Sequence, residues 1–192
     1  MATQGTPDCL MLMIASSSLK SQFEGRKKFV DDGVNHKGPL PGIKYDLKAF
    51  RNKYKLNINH YIETSQDEKM LLTKSYILNW LEKYFSEAGY DTYIFYSGHG
   101  HQGGDLAVET VERPEADKLP LETIVNLWTQ KRPMQKCHLY IFMDSCYSGA
   151  WAYKLGDMGN KGISIFASSD RNETSIDCNG GQLFKSIMGP EN

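Results

Sequence analysis

Residues 10–15, Leu-Met-Leu-Met-Ile-Ala, form an unbroken apolar run, the pattern of a strand buried on both faces. Residues 16–41 then turn polar and glycine-bearing, which predicts a long polar loop. Loops of that length inside a compact domain are often functional. A short helix is expected over residues 42–52, and the alternation at 56–62 reads as a second strand. Ser65 with Glu68 three positions on is a capping box. It predicts a helix carrying Leu71, Leu72, Tyr76, Ile77, Trp80, Leu81 and Tyr84 on one stripe, ended by Gly89. Further strands are expected at 93–96, 138–143 and 162–167, with helices at 121–131 and 150–154.

Strands alternating with helices predict an α/β fold: an open, mainly parallel sheet with helices on both faces. The chain has 192 residues, which suits one domain over 1–192. It carries 22 Lys and Arg against 23 Asp and Glu, so it lacks the basic excess of a nucleic-acid or anionic-membrane binder. No apolar run reaches the ~20 residues of a membrane span, and the four cysteines form no C-x-x-C pair. A reducing, cytoplasmic setting is the expectation.

In open parallel sheets, ligands bind beyond the carboxyl ends of the strands. The third strand runs into Ser97-Gly98-His99-Gly100, and the fourth into Asp144-Ser145-Cys146-Tyr147-Ser148-Gly149. Each apolar run ends abruptly in small residues around one reactive side chain. His99 and Cys146, 47 residues apart, would converge at one sheet edge as a Cys/His nucleophile pair. A nearby imidazole or helix N-terminus lowers a thiol pKa, so an activated Cys146 is expected. His99 would protonate the leaving amine, with the Gly100 and Cys146 backbone N–H groups as oxyanion donors.

These motifs resemble the caspase-like cysteine peptidases, on their metacaspase side. Flanking matches are residues 40–46, 167–177 and 180–184. The resemblance implies a large-subunit (p20-type) peptidase domain, a polypeptide substrate, and a small-subunit or homologous caspase-like partner. It also implies that the chain lacks the last helix–strand unit of that fold. Leu40 stands where caspases place an arginine that holds P1 Asp. Asp144 and Asp46 match metacaspase pocket residues, and a carboxylate there would select P1 Arg or Lys. The same two side chains could instead fix the nucleophile turn and a helix N-terminus. Lys154 and Lys161, past the nucleophile, are candidate autocleavage sites.

No cofactor is required by this chemistry. Many metacaspases are activated by calcium, yet Asp105, Glu109, Glu112, Glu115 and Asp117 are too scattered to predict a site. Other readings stay open. Gly98-His-Gly-His-Gln-Gly103 satisfies a dinucleotide pattern but lacks the helix that must come directly after it. His99, His101, Asp105 and Cys146 could serve a zinc hydrolase. A non-catalytic caspase-like scaffold or regulatory partner is the third.

Overall fold

The computed structural model describes residues 9–15, 43–54, 60–64, 72–87, 91–108, 117–131, 136–159, 162–175, 181, 183 and 186–187. Five parallel strands form the central sheet: β1 (Cys9–Ala15), β2 (His60–Thr64), β3 (Asp91–Ser97), β6 (Leu139–Asp144) and β7 (Ile163–Ala167). Their order is β2-β1-β3-β6-β7, so the chain winds one way from β1 and then the other. The helices are α1 (Ile43–Tyr54), α2 (Lys74–Glu87), α3 (Leu121–Lys131) and α4 (Gly149–Asp157). A two-stranded antiparallel ribbon, β4 (Leu106–Val108) with β5 (Asp117–Leu119), comes after β3.

The apolar run of β1 is divided between two cores by the period of two. Leu10, Leu12 and Ile14 pack with Ile94, Tyr96, Ile141 and Met143 under α2, α3 and α4. Met13 and Ala15 face the other way and pack with Phe95 under α1. Ile43, Leu47 and Phe50 supply the stripe with which α1 covers that face. On the first face, Phe85 and Trp128 lock α2 to α3 edge-to-face at 5.0 Å. Towards the β7 edge, Phe95, Phe142 and Phe166 stack in a row, with centroids 4.9 and 4.6 Å apart.

The helix predicted from the Ser65 capping box begins later. Leu72 and Thr73 precede α2, and the Thr73 hydroxyl accepts the Tyr76 N–H at 3.2 Å. Thr73 therefore satisfies one of the open donors of the first turn. Ser65 to Leu71 and Gly89 lie outside the described residues, as does the predicted loop at 16–41. The helix predicted at 150–154 is longer, running from Gly149 to Asp157. No described helix is long and apolar enough to cross a membrane.

Candidate active site

Strand register brings the two motifs together. β3 and β6 are hydrogen-bonded neighbours with Ser97 opposite Asp144, and Gly98 N–H donates to the Asp144 carbonyl at 3.3 Å. Two residues further along each chain segment lie His99 and Cys146. His99 is buried and Cys146 is half-buried, and both line one pocket with Ile43, Asp46, Ser97, Asp144, Ser175 and Gly181.

The His99 turn is fixed from below. Its carbonyl accepts the Tyr96 hydroxyl at 2.7 Å and the Ala107 N–H at 3.0 Å. Tyr96 is fully buried, so this grip is shielded from water. Gly100 bridges to Leu106 and continues the ribbon. The glycine-rich stretch leads into β4 rather than into a helix, which leaves the dinucleotide pattern incomplete.

Gly100 has no room for a side chain, since a Cβ there would overlap the Cys146 carbonyl oxygen. Gly100→Ala should therefore cost about 2 kcal/mol through overpacking. At this chain length that is roughly 4–8 °C in unfolding temperature, readable by calorimetry. An unchanged midpoint would show that the two strand ends can spread apart.

The turn that carries Cys146 is tied to residues 169–175. Tyr147 adopts φ 59, a left-handed conformation uncommon for a non-glycine residue. Its N–H donates to the Glu173 carbonyl at 2.8 Å, which holds it there. Gly149 N–H donates to the Ser169 carbonyl at 2.9 Å, and the Ser169 hydroxyl donates to the Ser145 carbonyl at 3.0 Å. Cys146 Sγ lies 3.9 Å from the Ser175 carbonyl, to which it donates.

Two buried carboxylates form the pocket wall. Asp46, in the first turn of α1, accepts the Ser97 hydroxyl at 2.6 Å and the Gly181 N–H at 3.0 Å. Asp144 accepts the Ser175 hydroxyl at 3.3 Å. A Cβ on Gly181 would overlap the Asp144 carboxylate, so glycine is what allows this close approach. Ser97, Ser175 and Gly181 are site residues that sequence reasoning misses. Ser175 and Gly181 reach the site through long-range contacts that no local pattern announces.

The thiol departs from the sequence expectation. Burial pushes the Cys146 thiol above its ordinary value of 9.0, and the Asp144 charge adds to the rise. Backbone groups at Ser175 and Cys146 offset part of it. Burial and the Asp144 charge thus favour the neutral thiol over an activated thiolate. Alkylation by iodoacetamide should accordingly have its pH midpoint above 9.0, and a midpoint near 7 would contradict this. As pH rises past 9.0 the unfolded chain loses this proton first, so the contribution to stability declines in that window.

The structure also places the remaining predicted residues. Gly100 packs against the backbone of Cys146. Lys154 belongs to α4, one third exposed, and pairs with Asp105 at 3.0 Å and Glu122 at 4.0 Å. It is thus helical, as the pattern at 150–154 predicts, and paired, which is unlike an open cleavage site. Lys161, Glu109, Glu112 and Glu115 lie outside the described residues. Among the described residues, no three His, Cys, Asp or Glu side chains come together as a metal-ligand group. His99, His101, Asp105 and Cys146 form no such set.

No family model matches the chain, and no curated protein matches it in sequence. Among solved structures it is similar to the crystal structure of Chaetomium thermophilum Raptor, with a TM-score of 0.52 and 10% identity. The likeness covers 86% of this chain and 16% of that one, so this chain spans a small part of Raptor's length. At that identity the likeness is one of fold: a mainly parallel α/β sheet flanked by helices.

Proposed function

We propose that the chain is a caspase-like cysteine endopeptidase that cleaves after Arg or Lys. The observation that carries this reading is the Ser97–Asp144 register, which delivers His99 and Cys146 to one pocket walled by two buried carboxylates. In the proposed reaction the Cys146 proton passes to the His99 ring, and Sγ attacks the scissile carbonyl. The imidazolium then protonates the leaving amine, and water resolves the thioester. Asp144 is the first partner for a P1 guanidinium, which can meet a carboxylate by two parallel bonds. Asp46 already accepts two hydrogen bonds and acts mainly by its charge.

This reading implies a polypeptide substrate, a small-subunit or homologous caspase-like partner, and a cytoplasmic, thiol-reducing setting. It requires no cofactor. Self-cleavage at Lys161 belongs to the same proposal, whereas cleavage at Lys154 would first need α4 to unwind. A purified Cys146→Ala chain that still fragments would refute self-cleavage.

The raised thiol pKa favours a second reading, a non-catalytic scaffold that keeps its cysteine protonated. Fluorogenic peptides with P1 Arg, Lys, Asp or Asn, assayed with and without calcium, separate the two. Arg and Lys turnover that alkylation abolishes is the expected result. Preference for P1 Asp would overturn the pocket assignment, and no turnover of any peptide would favour the scaffold.

A further inference from the structure

We infer that the pocket and the nucleophile are coupled, so that a cation seated on Asp144 converts Cys146 from a resting to a reactive thiol. The inference deepens the proposed peptidase reading and rests on it for the identity of the cation, a P1 guanidinium or ammonium.

The geometry behind it lies in one residue. Ser175 donates its hydroxyl to Asp144 at 3.3 Å while its carbonyl accepts the Cys146 thiol. A second hydroxyl, that of Ser168, donates to Ser175 Oγ at 3.2 Å and fixes its rotamer. The anion and the thiol are therefore held at a set separation, two residues apart in sequence and inside one pocket. Asp144 is only 6% exposed, so its charge is weakly screened there.

The titratable groups that line the pocket with the thiol are Asp144 from β6, His99 beyond β3 and Asp46 from α1. The Asp144 carboxylate is the charge among them that opposes formation of a sulfur anion. The burial and charge effects described above both act in that direction. A cation paired with Asp144 cancels that charge. The S–H bond can then break with its proton passing to the His99 ring, leaving a thiolate beside an imidazolium and a charge-paired Asp144. On this account the group that recognises the substrate also keeps the nucleophile silent until recognition has occurred.

The test needs no scissile bond. The intact protein is alkylated with iodoacetamide at pH 8, forming an S–C bond and releasing iodide, in the presence of agmatine or of uncharged butylurea. Agmatine should accelerate alkylation on the order of tenfold, the effect of lowering the thiol pKa by one unit. It should move the pH midpoint of alkylation downwards, whereas butylurea should do neither. Asp144→Asn should alkylate faster than the wild type without ligand and gain nothing further from agmatine.

Equal effects of the charged and uncharged compounds, or protection by agmatine, would overturn the coupling. The wild-type comparison decides this even where the variant does not fold. Acceleration without peptide turnover would uphold the coupling and remove the peptidase reading. Turnover without acceleration would do the reverse.

Discussion

On the proposed peptidase reading, replacing Cys146 with alanine should lower turnover of an arginyl peptide by about 10⁴-fold or more, as loss of a covalent nucleophile does elsewhere. The fold should survive, because the side chain is half-buried and its hydrogen bond to Ser175 is long. Steady-state hydrolysis together with calorimetry reads both outcomes. The pocket also contains hydroxyls at Ser97, Ser145 and Ser175, which gives the experiment its edge. Cys146→Ala protein retaining a tenth of wild-type turnover would shift the search to those three residues and end the thiol mechanism.

Asp144→Ala should reduce kcat/KM for P1 Arg peptides by roughly 10²–10³-fold, the scale of losing one partner of a desolvated ion pair. The loss should be confined to cationic P1 residues. Peptides with P1 Asn, which carry no positive charge to pair with the carboxylate, should be cleaved no more slowly by the variant. Removing the Asp144 charge, which raises the thiol pKa, should help them. A uniform loss across all P1 residues would instead give Asp144 the structural role of holding Ser175 and the nucleophile turn. That outcome would leave specificity to Asp46, whose two oxygens already accept bonds from Ser97 and Gly181.

The strands that build the site are legible in the sequence because β1, β3 and β6 are apolar on both faces and stop abruptly. At Ser97-Gly98-His99 and Asp144-Ser145-Cys146 the change from bulky to small residues marks a strand end and exposes a reactive side chain at once. β5 is not legible. Asp117-Lys118-Leu119 has too few apolar residues to signal a strand and forms by pairing with β4. The start of α2 is misleading because the Ser65–Glu68 pattern satisfies the capping rule, whereas Thr73 makes the observed bond to Tyr76.

At the site, Cys146, His99, Asp144 and Asp46 can be named from local pattern and resemblance. Ser175 and Gly181 cannot, since their part depends on segments distant in the chain returning to the pocket. The state of the thiol is also beyond reach of sequence. A helix N-terminus and a histidine both lower a thiol pKa, but burial and a carboxylate act against them, and only packing decides the balance.

Every residue from Ser145 to Gly149 has a tether into residues 169–175. Ser145 is held through its carbonyl, Cys146 through sulfur, Tyr147 and Gly149 through their amides, and Ser148 through both its amide and its hydroxyl. Ser169 alone supplies the contacts to Ser145, Ser148 and Gly149. The two segments must therefore open as one cooperative unit although α4 and β7 separate them in sequence. In hydrogen exchange, the amides of Tyr147 and Gly149 would lose protection together, at a common opening free energy. Ser169→Ala would speed both, leaving the amides of β1 and β3 at their slow, global rate.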